Sequence, residues 1–204
     1  MRNKEEHYKA YKFNKAVLGW IFKLYYRPRI VNKEVIPKDG PIIVCGNHIH
    51  LYDQCLPILA TKRMLHYMAK KEYFDNKKTA WFFKASGCIS VNRQIHDSEA
   101  KEKALEVLKN GNALGIFPEG TRNKTFGTPD EVILLPFKMG TVSMAQKTGA
   151  TIVPYVITGK YKFWNNHLTC TFLKPFKVGK DEDLEKVNQK LHDMIENELL
   201  KHQN

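Results

Sequence analysis

The sequence has no apolar run long enough to cross a lipid bilayer. A transmembrane helix needs roughly 20 consecutive, mainly apolar residues, and the longest early run, AVLGWIF at residues 16–22, is ended by Lys23. The N-terminus is charged and aromatic and has no small-residue cleavage site, so it does not resemble a secretory signal peptide. We therefore expect neither a spanning helix nor a cleaved leader in this chain.

Cysteine is also scarce. The four cysteines are Cys45, Cys55, Cys88 and Cys170, and they form no CxxC pair and no metal-site spacing. We expect no disulfide framework, and a reducing, cytoplasmic environment. The sequence also has no internal repeat and no low-complexity linker. Its 204 residues suit one domain with at most a short appendage.

Acidic residues are outnumbered, because 33 Lys and Arg stand against 21 Asp and Glu and give a net charge of +12. Such a balance indicates a phosphate-bearing partner: nucleic acid, an anionic membrane surface or a phosphorylated substrate. Solubility alone is the plainer interpretation. The excess is concentrated early, with seven Lys and Arg against two Glu in residues 1–28.

Residues 4–26 show the pattern of one helix, which Arg27 and Pro28 end. A helical wheel places Lys9, Lys12, Lys15 and Lys23 on one side and a broad aromatic and aliphatic face on the other. That composition is typical of a helix lying in a membrane interface. The alternative is a helix packed on the domain with its lysines solvated. We predict an amphipathic membrane-associating helix in residues 1–28 and a second domain in residues 29–204.

Short apolar runs alternate with helical patterns through the rest of the chain. The predicted strands are 41–46, 64–69, 88–91, 113–117, 151–158 and 168–173, and the predicted helices are 53–61, 97–111, 138–149 and about 183–201. This alternation predicts an α/β fold with a mixed, largely parallel central sheet flanked by helices.

The stretch NHIHLYD sets His48 five positions before Asp53, between a predicted strand and a helix expected to begin near Leu51. An aspartate bonded to one imidazole nitrogen leaves the other nitrogen as a base. The alternative is a histidine that only fills space at a strand end. His48 and His50 also form an H-x-H pair, but no third ligand stands at a suitable spacing, so we expect no metal site.

Three further strand ends carry cations. GIFPEGTRN provides Glu119 and Arg122 around Gly120, GCISVNR ends at Arg93, and the strand in MAKKEYF delivers Lys70 and Lys71. An arginine at a strand end can hold a phosphate through its planar fork of donors. Each charge alone is typical of a solvated surface, and together they are consistent with one basic crevice.

The four motifs NHxxxxD, GCISVNR, FPEGTR and TIVPYVI, in this order, resemble the glycerolipid acyltransferase family. Within it the pattern is most similar to the 1-acyl-glycerol-3-phosphate (lysophosphatidic acid) acyltransferases. The resemblance covers roughly residues 41–157. Many members carry serine two residues after the histidine of the first motif, where this chain has His50, and the sequence assigns His50 no role.

The resemblance implies that residues 29–204 form an acyltransferase catalytic domain in which the nucleophile belongs to the substrate. His48 would take the proton from the 2-hydroxyl of a lysophospholipid, and Asp53 would orient His48. Backbone amides at the start of the following helix would stabilise the oxyanion. Glu119 would bind glycerol oxygens or fix its loop, and Arg122 and Arg93 would hold the phosphate. The substrate-binding residues implied are Lys70, Arg93, Glu119, Gly120, Thr121 and Arg122.

The same resemblance implies an acyl thioester, acyl-CoA or acyl-carrier protein, as donor substrate, with no separate cofactor. The product would be phosphatidic acid in phospholipid biosynthesis, made at an anionic membrane surface by a peripheral or monotopic protein on the cytoplasmic face of the cell membrane. Another lysolipid or a sterol-like alcohol is an alternative acceptor. A non-catalytic membrane-binding protein or a nucleic-acid-binding module are alternatives from other classes, although no recognised nucleic-acid motif is present and we expect no nucleic acid partner.

Overall fold

The structure, a computed structural model, describes residues 2–92, 97–128, 132–164 and 167–202, with the backbone alone for residues 2–7. No helix among these residues combines the length and the apolar character needed to cross a membrane. The elements follow in the order α1 (Arg2–Tyr26), β1 (Arg29–Val31), a 3₁₀ turn (Lys33–Val35), β2 (Ile42–Gly46), α2 (Cys55–Ala60), β3 (Leu65–Lys70), α3 (Glu72–Asp75), α4 (Lys77–Ala85), β4 (Ile89–Val91), α5 (Ser98–Lys109), β5 (Ala113–Ile116), α6 (Gly140–Thr148), β6 (Thr151–Thr158), β7 (Thr169–Phe172) and α7 (Leu184–Leu200).

In the described residues the strands form one seven-stranded sheet in the order β1-β7-β6-β2-β5-β3-β4. Every neighbouring pair is parallel except β6 and β7, which are antiparallel. The prediction of an α/β fold with a mixed, largely parallel sheet is therefore confirmed. Because β2 to β6 are mutually parallel, their carboxyl ends all lie at one edge of the sheet, where catalytic groups of open α/β folds gather.

The core lies on both faces of the sheet, which explains why β2 is apolar at every position. Ile43 and Cys45 pack with α5, α6 and α7 on one face. Ile42 and Val44 pack on the other face, which α1 and α2 cover. The cysteines are free thiols.

The predicted strands and the helices α5, α6 and α7 agree with the observed elements, but other regions differ. The sequence analysis assigned no structure to residues 77–85, which form α4, or to residues 29–31, which form the edge strand β1. The helix expected to begin near Leu51 begins at Cys55 instead, after a turn. The Asp53 carboxylate accepts two backbone amides within that turn and holds it out of the helix.

The helix α1 ends at Tyr26, as the Arg27-Pro28 pair predicts, and one of its faces packs on the domain. Tyr11 and Phe22 are buried there. The prediction that Lys15 lies on the solvated basic face is wrong, because its ammonium donates to the Thr61 carbonyl and burial lowers its pKa to about 8. A helical wheel defines the faces of a helix but does not show which face packs on the domain.

The opposite face of α1 is exposed and apolar. Trp20 and Phe13 are 66% and 67% exposed, and the neighbouring apolar side chains on this face are Val17, Ile21 and Leu24. Lys9, Lys12 and Lys23 remain exposed beside it. The helix therefore has features of both alternatives, the helix packed on the domain and the membrane-interface helix. One face packs on the domain, and the described residues leave the apolar face uncovered.

Candidate active site

The structure brings His48 and Asp53 together just beyond the carboxyl end of β2. Nδ1 of His48 lies 2.8 Å from Oδ2 of Asp53. Asp53 is fully buried, and its Oδ2 also accepts the backbone amides of Ile49 and His50 at 2.7 Å each. A buried carboxylate held by this many donors has one fixed orientation, and it binds the Nδ1 side of the imidazole, which leaves Nε2 as the other, proton-accepting nitrogen.

The two amides that directly follow His48 have a structural role. The amides of Ile49 and His50 donate to Asp53, so they are not available to an oxyanion, and the expectation for amides at the start of the following helix stays a prediction. The turn after β2 is therefore built to hold the carboxylate.

Tyr161, which no motif in the sequence marks, is a third member of the His48–Asp53 arrangement. The hydroxyl of Tyr161 donates to Oδ1 of Asp53 at 2.6 Å. Burial and the neighbouring Asp53 charge raise the pKa of Tyr161 above its ordinary value, so the phenol keeps its proton and remains a donor. The ring of Tyr161 also stacks on His50, with centroids 4.0 Å apart. This contact gives His50 a packing role, and burial lowers its pKa.

A cleft of about 270 Å³ opens beside His48. The His48 ring stacks on Phe117, with centroids 3.9 Å apart and planes 10° from parallel, so its two faces are not equally free. The wall residues come from β3, β4 and β5, from the segments that follow β2, β4 and β5, and from the start of α6 and the residue two positions before it. They are His48, Tyr67, Met68, Val91, Asn92, Asp97, Gly115, Ile116, Phe117, Pro118, Gly120, Lys138, Gly140 and Thr141. The His48 imidazole therefore forms part of the wall of a cleft at the carboxyl edge of the sheet.

Two side chains fix the backbone on either side of His48. Asn47 is buried, donates from Nδ2 to the Ile157 carbonyl at 2.9 Å and accepts the Ile157 amide on Oδ1 at 2.7 Å. This pair ties the end of β2 to the end of β6. The Asn123 amide donates to the His48 carbonyl at 2.7 Å. His48 is therefore positioned by the sheet and by the FPEGTRN turn.

Glu119, which lies in the FPEGTRN turn, also contacts the loop that carries His48. It is 3% exposed, and its two oxygens accept the amides of His48 at 2.7 Å and Leu135 at 3.1 Å. Burial raises the pKa of Glu119 to about 7, although the two amide donors act in the opposite direction. Of the two roles considered for Glu119, the geometry favours fixing the loop.

Arg122, Thr121 and Lys70, which the sequence predicts to bind the phosphate, lie at the same edge of the sheet. Arg122 and Thr121 are exposed, and the charge of Arg122 acts on His50. Lys70 is exposed at the end of β3, where it pairs in register with Val91 of β4. Arg93 lies outside the described residues.

Gly120 has a φ of +71°, the left-handed conformation that favours glycine. The Lys138 side chain lies across it, with Cε only 2.8 Å from the position of a Cβ. Lys138 also lines the cleft and was missed by the sequence analysis, because it lies after the recognised FPEGTR motif.

Comparisons with known proteins agree with this geometry. The acyltransferase family model matches residues 27–158. The chain is 33% identical over 150 residues to the 1-acyl-sn-glycerol-3-phosphate acyltransferase of Bacillus subtilis, covering 73% of this chain and 71% of that protein. It is 34% identical over 137 residues to the protein of the same name from Borreliella burgdorferi, covering 66% of this chain and 52% of that protein.

A solved structure supports the fold. The 1-acyl-sn-glycerophosphate (LPA) acyltransferase PlsC from Thermotoga maritima matches with a TM-score of 0.74 and 24% identity, over 98% of this chain and 82% of that one. The family model covers more than half of the chain and includes His48, Asp53 and the FPEGTR turn. The resemblance seen in the motifs is confirmed, and the chain belongs to the acyltransferase family.

Proposed function

We propose that this chain transfers a fatty acyl group from an acyl thioester to the 2-hydroxyl of 1-acyl-glycerol-3-phosphate and so forms phosphatidic acid. The observation that carries the proposal is the buried Asp53 bonded to His48 at 2.8 Å beside a cleft. The names of the two relatives described above support the acceptor. Acyl-CoA and acyl-carrier protein are both proposed donors, and the reaction uses no further cofactor and no metal.

In the proposed reaction Nε2 of His48 accepts the proton of the acceptor hydroxyl as its oxygen attacks the thioester carbonyl. Asp53 stabilises the imidazolium that forms, as the carboxylate of a catalytic triad does. The tetrahedral intermediate then collapses, the carbon–sulfur bond breaks and His48 returns the proton to the leaving thiolate. General-base assistance of this kind contributes on the order of 10²–10⁴-fold, and holding both substrates together supplies much of the remainder.

Binding of the acceptor is assigned to the cations at the sheet edge. Arg122, Arg93 and Lys70 are proposed to hold its phosphate, and Gly120 and Thr121 to shape the turn that faces it. Glu119 is proposed to act through the loop, because its oxygens already accept the amides of His48 and Leu135. These roles follow the family motif and the position of each described residue at the carboxyl edge.

We further propose that the protein works at an anionic membrane surface as a peripheral or monotopic protein, on the cytoplasmic face, without a nucleic acid partner. The acceptor and the product are bilayer lipids. The exposed apolar face of α1, with Lys9, Lys12 and Lys23 beside it, suits an interfacial position. Phospholipid biosynthesis is the pathway that this reaction implies.

The test is an acyl-transfer assay with purified protein, lysophosphatidic acid and a matched panel of acyl-CoA and acyl-carrier-protein donors, read by product mass. Wild type should form phosphatidic acid with at least one donor. His48→Ala should lower turnover roughly 10²–10⁴-fold, while the matched control His202→Ala, on an exposed histidine beyond α7, should leave it unchanged. Near-native turnover by folded His48→Ala protein would refute the proposed mechanism.

A further inference from the structure

The helix α6 begins in the wall of the cleft that contains His48. Its first two residues, Gly140 and Thr141, line that cleft. The first turn of a helix carries amide groups without intrahelical partners and a partial positive charge. Met139, the residue before the helix, provides no side-chain cap. Among the described residues no side chain caps this helix start, which stands at the edge of the pocket.

The helix α5 also begins at this cleft but is already capped. Asp97 lines the cleft and accepts the amides of Asn92 at 2.7 Å and Ala100 at 2.9 Å. These two donors lower the pKa of Asp97, so the cap is an ionised carboxylate. The Asp97 carboxylate therefore already occupies the start of α5, whereas the start of α6 has no such cap among the described residues.

Thr141 gives an independent sign of a missing ligand. Its side chain is fully buried, and within the part of the chain that the structure describes its hydroxyl has no hydrogen-bond partner. Leaving a buried polar group unsatisfied costs roughly 1–3 kcal/mol, so such groups in folded proteins usually have a partner. Because Thr141 lines the cleft, that partner can come from the occupant of the cleft.

Lys138 adds a full positive charge to the same wall. It lines the cleft, and its side chain crosses the FPEGTR turn over Gly120. Its ammonium forms no salt bridge with a carboxylate of the described residues. The Thr141 hydroxyl, the uncapped amides at the start of α6 and the Lys138 ammonium are together the kinds of donor that bind phosphate groups.

We propose that the start of α6, with Thr141 and Lys138, adds a second set of contacts to the phosphate of the lysophospholipid acceptor, beside the cations assigned to it above. This inference rests on the acceptor proposed above. The acceptor's phosphate is only a few bonds from the hydroxyl that His48 deprotonates, so both fit one cleft of about 270 Å³. The phosphates of an acyl-CoA are separated from its thioester by the whole pantetheine arm and cannot share this cleft with the reacting carbon.

The experiment compares wild type with Thr141→Val, which removes only the hydroxyl, and Lys138→Gln. The matched controls are Thr141→Ser, which keeps the hydroxyl, and Lys147→Gln, an exposed lysine at the far end of α6. The measurements are KM for lysophosphatidic acid, KM for the acyl donor, and the Kd of glycerol 3-phosphate and of CoA by calorimetry. Melting temperatures show that each variant is folded.

Lys138→Gln should raise the KM for lysophosphatidic acid and the Kd of glycerol 3-phosphate about tenfold, and Thr141→Val about threefold to tenfold. Thr141→Ser and Lys147→Gln should match wild type, and the KM for the donor and the Kd of CoA should not change in any variant. Unchanged acceptor constants in both site variants would overturn the proposal. So would a rise confined to the donor and CoA, which would assign the anion site to the donor.

Failure of the proposed function has a different signature. Wild type would then transfer no acyl group to lysophosphatidic acid from any donor. The calorimetric measurement still reads the anion site in that case, because weaker glycerol 3-phosphate binding in Lys138→Gln and Thr141→Val supports it without turnover. Equal binding by wild type and both variants would reject it.

Discussion

Tyr161 and His48 share one carboxylate: the Tyr161 hydroxyl donates to Oδ1 of Asp53 at 2.6 Å, and His48 lies 2.8 Å from Oδ2. Tyr161 does not line the cleft. We interpret Tyr161 as a positioning residue that holds the plane of the Asp53 carboxylate and, through it, the His48 imidazole.

We expect Tyr161→Phe to lower kcat about tenfold and to leave the KM for the acceptor unchanged, because it removes one buried hydrogen bond to a carboxylate. Steady-state kinetics in the phosphatidic acid assay measure both constants. The stack on His50 is retained by phenylalanine, and Tyr8→Phe, at an exposed tyrosine of α1, is the matched control. If Tyr161→Phe turns over at the wild-type rate, the bond to Asp53 has no part in catalysis.

We expect Arg122→Ala, Arg93→Ala and Lys70→Ala each to raise the KM for lysophosphatidic acid. A charged hydrogen bond contributes roughly 1.5–3 kcal/mol, and exposed charges contribute less, so the rise should be about fivefold to a hundredfold. Kinetics at saturating donor give the constant. Lys109→Ala, at the last residue of α5, should behave as wild type. Unchanged constants in all three variants would exclude these cations from the phosphate site.

We expect Glu119 to make stability depend on pH. Its pKa in the folded protein, about 7, lies above the ordinary value of 4.5. The folded state then holds a proton that the unfolded state has lost, so this stabilising contribution is fully present below pH 4.5 and is lost as the pH rises through about 7. The free energy of unfolding of wild type relative to Glu119→Gln should fall by on the order of 3 kcal/mol across that range.

Denaturant titrations at a series of pH values measure this difference. Glu102→Gln, on an exposed residue of α5, should show no comparable slope relative to wild type. A wild-type-to-Glu119→Gln difference that stays constant between pH 4.5 and pH 7 would mean that Glu119 does not take up a proton on folding.

We expect Phe13→Ser and Trp20→Ser to weaken flotation with liposomes that contain anionic lipid. Both side chains lie on the exposed face of α1, and burying apolar surface contributes roughly 25 cal/mol per Å². Leu200→Ser, an exposed apolar residue at the end of α7, is the matched control. Equal flotation by all these proteins would reject α1 as the membrane-binding helix.

We expect the lysines beside that face to add a salt-dependent part of the binding. Each basic residue near an anionic surface contributes about 1 kcal/mol, so Lys9→Gln, Lys12→Gln and Lys23→Gln should each weaken flotation at low salt and matter less at high salt. Point variants serve better than removal of residues 1–27, because Tyr11 and Phe22 are buried against the domain and their loss would disturb its core. Binding that is insensitive to salt in wild type would contradict a role for these lysines.

The sequence predicts the sheet well because each buried strand is a short apolar run bounded by turn residues, and a parallel sheet covered on both faces produces that signal. The helix at residues 77–85 was missed although the sequence carries a start signal for it, because asparagine is a favoured residue immediately before a helix. Its cap is Asn76, whose side chain accepts the Lys78 amide. The prediction for Lys15 is wrong for another reason. Periodicity defines the faces of α1, but it does not show which face packs on the domain.

In the candidate site, too, the sequence predicts the residues that are close along the chain and misses those that only the fold brings together. His48 and Asp53 stand five residues apart, so local geometry alone brings them within reach. Tyr161 lies 108 residues from Asp53, and only the parallel pairing of β2 with β6 brings it to the same edge. Thr141 lies in the first turn of α6 and Lys138 two residues before the helix. None of the four motifs contains them, and only the folded chain brings both to the wall of one cleft.

The two hydrogen bonds between Asn47 and Ile157 have a consequence for how the active site moves. Both partners are buried, and β2 and β6 lie in the middle of the sheet. Any opening that frees the residue before His48 must break both bonds and expose the Ile157 amide to solvent. Amide hydrogen exchange at Ile157 should therefore be among the slowest in the chain, and His48 directly follows a residue that is fastened to the middle of the sheet.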